Sequence, residues 1–584
     1  MQDQKLENLL NLALDASPED FQKSQALQTG YDKERRTWEL IVRYIGDLSV
    51  VEQFGAKKEE LLNGYGIITV PEESVDAVSN LNQIEYVEKP KRLFFSLSEG
   101  KQASCISGVQ TGTGSISQDN RRNLTGKGVL VAVIDSGIDY LHPDFLNMDG
   151  TTRIAELWDQ DLDRVFTEEE INEAIAASSE LGQEAGRRLV PSRDVSGHGT
   201  AVAGICAGNG RAGDGRYRGV AYESTLLIVK LGTPKEEGFP RTTELMRALN
   251  YAVLKGVELQ MPLVINVSIG NTYGSHDGTS LLETFFSDIS GYGKTTIVVG
   301  TGNEGAGGGH TSGTAVLGQE EEAEFVIAPY ETGLSVQLWK NYADIFTITL
   351  ITPQGESSGP IDSRLGPQTI HYRGTRVLLY YGKPSPYSQS QEIYFDFLPV
   401  RDYLDSGIWR IRLTPRQVVA GDYDLWMPSA GILNPSTRFL YANPETTLTI
   451  PSTAMRVISV GAYDSSRQAY ADFSGRGFNR NNLIKPDLAA PGVDITAPSR
   501  FGGYGTFTGT SFATPFVTGS AALLAQWGVV NGNDPFLYGE KIKAYLQRGA
   551  KQIPGYEMWP NPQLGYGTLC VRDSIPTSFM EGIS

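Results

Sequence analysis

The chain has 584 residues, and 50 Lys+Arg against 68 Asp+Glu give it a formal charge of −18. That sign excludes bulk attraction to nucleic acid or to an anionic membrane, and the length asks for two to four domains. With 40% hydrophobic and 20% charged residues the composition is that of a folded soluble protein, and no apolar stretch reaches the length of a membrane helix.

Residues 1–102 read as a small α+β unit. LENLLNLAL is expected to form a helix, and WELIVRYIGDL a strand with alternation at Leu40, Val42 and Tyr44. GYGIITVP reads as a second strand, EESVDAVSNLNQ as a helix and IEYVEKPKRLFF as a last strand, a split βαβ pattern. The N-terminus carries early acids and no long apolar run, so no secretory signal is expected. Synthesis in the cytoplasm is the expectation that follows.

From about residue 126 the pattern changes. GVLVAVIDSG, STLLIVKLG, PLVINVSIG, TTIVVGTGN and MRVISVGA are apolar runs ending in polar or Gly-rich turns, as strands buried on both faces require. Helical patterns such as TTELMRALNYAVLKGV lie between them, which predicts an α/β core with a mostly parallel sheet flanked by helices. TEEEINEAIAASSELGQ is expected to be a further helix. Between 317 and 448 the alternation gives way to short strands, among them LSVQLWK, IFTITLITP, RVLLYYG and WRIRLTP, separated by Gly, Pro and Ser turns. That stretch predicts an inserted β-sandwich of jelly-roll type. The domain reading is therefore 1–102, a core in two parts (103–316 and 449–584), and the insertion at 317–448.

Three residues at the ends of core elements carry the chemistry. Asp135 closes VLVAVID, His198 stands in SGHGTAVAGICAG, and Ser511 opens FTGTSFATPFVTGSAALLA. A serine hydroxyl needs a base to become a nucleophile, a histidine can take and return the proton, and a carboxylate fixes the imidazole tautomer. The chain order Asp, His, Ser is that of subtilisin. Pro515 is expected to be tolerated in the first turn of the helix that Ser511 begins. Asn303, in VVGTGNEGAGG after a buried strand, can donate its amide to the developing oxyanion.

DSGIDYLHPDF, GHGTAVAGI, the segment around Asn303, GTSFATPFVTG and KPDLAAPGVDI together resemble the active-site blocks of the subtilase family. The resemblance covers about 103–316 and 449–575, and 1–102 is similar to a subtilase propeptide. It implies a serine endopeptidase whose peptide substrate adds as a β-strand between Ser268, Ile269 and Gly270 on one side and Leu231 and Gly232 on the other. Asp144 matches a calcium ligand of many subtilases, but the loop GNGRAGDGRYRG departs from the pattern that supplies the other ligands. No cofactor is expected.

The 63 residues from Asp135 to His198 and the 208 from Asn303 to Ser511 exceed what a minimal core needs. With the propeptide and the β insertion, they make the chain similar to the Csp germination proteases of spore-forming Clostridia. That resemblance implies activation of a cortex-lytic zymogen and association with the spore. The tail SLSEGKQ after KRLFF is expected to cross the cleft as a product, and self-cleavage near Gln102–Ala103 would leave Asp135 a few dozen residues into the mature chain. The expected partners are a protein or peptide substrate and the chain's own propeptide. Two alternatives are a silent relative used as a sensor or scaffold and a general degradative protease. The three cysteines, Cys105, Cys206 and Cys570, show no metal spacing and are expected to be free thiols, with Cys206 a buried small hydrophobe. His142 is expected to be structural, and His276, His310 and His371 to lie on the surface or in loops, with His310 able to line the cleft.

Overall fold

The computed structural model describes residues 5–95, 104–110, 123–233, 238–361, 363, 365–500 and 502–576. At its centre is a nine-stranded sheet. Strands Ile458–Asp464, Thr295–Gly300, Leu263–Val267, Leu130–Asp135, Thr225–Lys230 and Ile154–Asp159 lie side by side in that order, every neighbouring pair parallel. Each apolar run identified in the sequence is one of these strands. Leu130–Asp135 and Leu263–Val267 are buried at every position, as strands covered on both faces must be.

Helices close the two faces. On one side the helix Thr510–Ala525, buried along its whole length, packs with helix His198–Ala207. On the other lie the helices Thr242–Glu258 and Leu281–Ile289. The extra helix between the Asp and His runs from Glu168 to Leu181, and Thr167 and Glu170 close its start as a reciprocal capping box.

The N-terminal unit is a five-stranded antiparallel sheet with short helices. Its strand Thr37–Tyr44, clamped between two bodies, is buried along one face and at Ile41 on the other. Ile41 faces the core sheet's helices with Tyr65, Ile67 and Tyr86. Leu40, Val42 and Tyr44 face the unit's own helices, as the alternation predicts. The sequence reading erred at the end of this unit. IEYVEKPKRLFF is not one strand: Ile84–Glu88 stays in the N-terminal sheet, Pro90 interrupts the chain, and Phe94–Phe95 crosses to the core.

The insertion is two antiparallel sheets, of six and four strands, that share one apolar core including Phe325, Leu338, Phe395, Phe397 and Trp409. Its first strand, His310–Thr314, starts ahead of the expected 317. The sandwich also packs on the N-terminal unit, where Leu378, Tyr380, Tyr394 and Leu398 join Leu9, Leu10 and Trp38 in one cluster.

Two expectations fail here. Cys105 and Cys570 form a disulfide across 465 residues, so two of the three thiols are not free; Cys206 alone is, and it is buried. Nothing in the spacing of two cysteines at opposite ends of a chain announces such a bridge. His310 is buried in a strand rather than superficial, while His276 lies in a loop as expected but is also buried; both stack on Trp426, at 4.7 and 4.2 Å between ring centroids. His310 bonds Asp424 and the Asn443 carbonyl, a structural role. His142, buried and bonded to the Gly503 carbonyl, is structural as expected, and His371 is exposed.

Candidate active site

Asp135 ends its strand at the carboxyl edge of the sheet, the edge at which open α/β sheets hold ligands. His198 is the first residue of a helix, and its Nδ1 lies 2.6 Å from Asp135 Oδ1 with both side chains buried. The same carboxylate oxygen accepts the Ser136 N–H at 2.8 Å. The His198 ring packs against the ring of Phe512, the residue after Ser511, with centroids 5.1 Å apart. Asp135 and His198 are thus paired, and the imidazole is set beside the helix that carries the serine.

Ser511 is the second residue of its helix, so its N–H has no partner within the helix. Its Oγ donates to the Ser268 carbonyl at 2.9 Å, and Ser268 Oγ donates back to the Ser511 carbonyl at 3.0 Å. The second bond corrects the reading of Pro515. Pro515 lies beyond the first turn, where its missing N–H would have bonded the Ser511 carbonyl. Ser268 supplies the donor that the proline removes.

Asn303 follows the strand Thr295–Gly300 and lines one cavity of about 480 Å³ with Ser268, Ile269, Gly270 and Ser511. Its Oδ1 accepts the N–H and the hydroxyl of Thr510, each at 3.2 Å. With its oxygen so held, Nδ2 is the atom left to donate.

The strand Ile269–Gly270 is already occupied. Phe94–Phe95 of the N-terminal unit pairs with it antiparallel, Phe95 opposite Ile269 and Phe94 opposite Gly270. Gly270 is needed there, because a Cβ would fall 2.7 Å from the Ile450 carbonyl oxygen. On the far side, the residues just before this strand bond to Pro240 and Thr242: Leu93 N–H to the Pro240 carbonyl at 2.8 Å and Thr242 N–H to the Lys91 carbonyl at 2.7 Å. Leu231 and Gly232, expected to form that far side, turn elsewhere. Leu231 N–H bonds the Asp135 carbonyl and Gly232 N–H the Gln160 side chain. Gln102 and Ala103 lie outside the described residues.

Sequence reasoning missed three supports. Asp194 braces the start of the histidine's helix, accepting the Gly197 N–H, the Thr200 N–H and hydroxyl, and the Ser136 hydroxyl, at 2.7–2.8 Å. An Asp shortly before a helix is a capping signal, and DVSGHGT carries it. Glu304, next to Asn303, accepts the Ala430 N–H at 3.0 Å, and burial raises its pKa. That bond brings Ser429–Ile432, a turn of the insertion, onto the cavity wall. No sequence signal marks the contact, which spans 126 residues. Asn266 ties the central strand to the serine's helix, donating to Ser268 Oγ and accepting from Thr518, both at 2.9 Å.

The calcium resemblance at Asp144 does not fit. Tyr504 donates its hydroxyl to that carboxylate and Ala212 its N–H, at 2.8–3.0 Å. The Arg153 guanidinium bonds the Ala207 and Ser224 carbonyls beside it. Donors and a fixed cation fill the place where a metal would need free oxygens. Among the described residues no group of three His, Cys, Asp or Glu side chains is placed to hold a metal.

Comparison with known proteins follows the same outline. Residues 4–91 match the Csp protease B prodomain, and 126–338 and 429–567 match the subtilase family. The interval between the last two segments falls within the inserted sandwich. Among solved structures, the CspB protease of Clostridium perfringens aligns with a TM-score of 0.75 and 38% identity, over 81% of this chain and 95% of that one. The minor extracellular protease Vpr of Bacillus subtilis is 24% identical over 77% of this chain and 52% of its own length. An intracellular serine protease of Paenibacillus polymyxa is 41% identical over 17% of this chain and 29% of its own. The chain spans about half the length, or less, of the curated relatives it matches. No helix among the described residues is long and apolar enough to cross a membrane.

Proposed function

The chain belongs to the subtilase family, and from that premise we propose that it is a serine endopeptidase that cleaves off its own prodomain and then activates a protein zymogen by limited proteolysis. The observation that carries this reading is the strand Phe94–Phe95, seated on Ile269–Gly270 one residue from the carbonyl that binds the Ser511 hydroxyl. A segment held in that way is held as a substrate or product strand is held.

In the proposed reaction Ser511 Oγ attacks the scissile carbonyl carbon while His198 takes its proton. Asp135 holds the imidazole tautomer and stabilises the cation that forms. Asn303 Nδ2 and the Ser511 N–H face the oxyanion. His198 then gives its proton to the leaving amine, and water repeats the sequence on the acyl-enzyme. The similarity to Csp-type proteases supports a zymogen target such as a spore cortex-lytic hydrolase.

The register also bears on the self-cleaved bond. Gln102 lies seven positions beyond Phe95, up to about 25 Å of extended chain. We therefore place the cut directly after the Phe94–Phe95 strand rather than at Gln102–Ala103. N-terminal sequencing of the mature chain distinguishes the two. Wild type should be shortened and labelled at Ser511 by a fluorophosphonate, and Ser511→Ala should be full length and unlabelled. Equal full-length masses with no labelling would assign the fold to a silent scaffold.

A further inference from the structure

The N-terminal domain and the sandwich meet at a seam that buries more carboxylates than it neutralises. Glu392 and Asp396 lie on one sandwich strand, Ser390–Pro399, and are 7% and 4% exposed. The N-terminal domain provides most of what covers them. Glu392 accepts the Asn8 amide at 2.9 Å, and Glu7, Glu88 and Lys91 of the same domain face it. Lys91 is itself committed, at 2.8 Å to Glu7 and 2.5 Å to Glu88. From the sandwich, Lys383 and the Tyr394 hydroxyl line the same small cavity; from the core, Ser275, Thr279, Ser280 and Tyr273 do. Lys91 thus serves three carboxylates, with the buried Lys89 acting on Glu7 and Lys383 beside the cavity.

Asp396 is more isolated. The Ser24 side chain bonds it, Asp20 and Lys89 of the N-terminal domain face it, and Asp20 is paired with Arg376. Its Oδ2 is buried with no hydrogen-bond partner among the described residues. Lys23, Lys91, Arg92, Tyr273 and Glu331 stand around the adjoining cavity of about 520 Å³. A buried carboxylate with an unserved oxygen is costly when ionised and far less so when protonated.

We propose that the N-terminal domain is fastened to the sandwich by a proton-dependent clasp, in which Glu392 and Asp396 carry protons while the domain is docked and lose them when it leaves. The cleaved domain is then held tightly in mild acid and loosely at neutral pH. Since its strand Phe94–Phe95 occupies Ile269–Gly270, the clasp sets how fast the cleft is vacated. The clasp deepens the self-processing reading and rests on it for its role.

The sign follows from proton linkage. Burial pushes both carboxyls up to about 7 in the docked state, from ordinary values of 4.5 and 3.8. Docking therefore takes up protons between those limits. Affinity falls by up to about tenfold per pH unit for each group across pH 4.5–7, and is level above it.

The test does not need self-processing to succeed. In the Ser511→Ala chain, a foreign protease site placed within residues 97–103 lets the linker be cut at will. The nicked protein is then diluted and followed by size exclusion and native mass spectrometry at pH 5 and pH 7.5. The expected result is at least thirtyfold weaker retention at pH 7.5. Glu392→Gln with Asp396→Asn should keep the domain bound at both values. If the double variant misfolds, the single variants carry the test, each removing about half of the pH dependence. Equal retention of the unsubstituted seam at both values, or an undiminished pH dependence in the variants, overturns the clasp. Absence of cleavage in wild type, with the clasp intact in the nicked chain, would overturn self-processing alone.

Discussion

Asp135 places one carboxylate oxygen on the imidazole and leaves the other, Oδ2, buried without a hydrogen-bond partner among the described residues. His198 and the Ser136 N–H share the one oxygen that is engaged. Asp135→Asn should keep the fold and lower kcat by about 10⁴, because the amide favours the wrong imidazole tautomer; steady-state kinetics on a peptide substrate check this. Asn303→Ala should lower kcat by about 10²–10³ with KM nearly unchanged, since its amide serves an oxyanion absent from the ground state. A KM rise without a kcat loss would instead make Asn303 a substrate-binding residue. The positions of Asp135, His198 and Ser511 were legible because each stands at a strand end or helix start, and that of Asn303 because it follows a buried strand. Asp194 was legible in principle through DVSGHGT. Glu304 was not, because a carboxylate beside a Gly-rich turn has no meaning until the insertion's Ala430 N–H is seen to reach it.

The helix Thr510–Ala525 and the segment Val267–Gly270 act as one unit. Pro515 leaves the Ser511 carbonyl without a helical donor, and Ser268 Oγ fills the vacancy. Ser268→Ala, made in the Ser511→Ala chain to prevent proteolysis, should cost about 1–3 kcal/mol by leaving that carbonyl unpaired. Urea denaturation measures the loss. Gly270→Ala should block the strand position more severely, since backbone lies where the methyl would go; slowed prodomain cleavage with a raised KM is the expected result. The core strands were legible because continuous apolar runs have one stable home, between two layers of helices. The crossing strand Phe94–Phe95 was missed because its apolar residues extend the preceding run, and only Lys89–Pro90 marks the break.

At the scale of the molecule, three bodies meet pairwise at three seams, and the Cys105–Cys570 bridge joins the segment that follows the N-terminal unit to the last described helix. Cys105→Ser should lower stability by about 2–4 kcal/mol; thermal unfolding of the processed Ser511→Ala chain, nicked within 97–103, reads it. Neither the bridge nor the seams could be read from the chain, since both join positions hundreds of residues apart. The insertion between Asn303 and Ser511 also has a bearing on time. A ribosome makes Phe95 416 residues before it makes Ser511, an interval of roughly 20–80 s at bacterial elongation rates of about 5–20 residues per second. The cleft's occupant is therefore synthesised, and free to fold, before the nucleophile exists. The nascent protease has no moment at which it is armed and unattended.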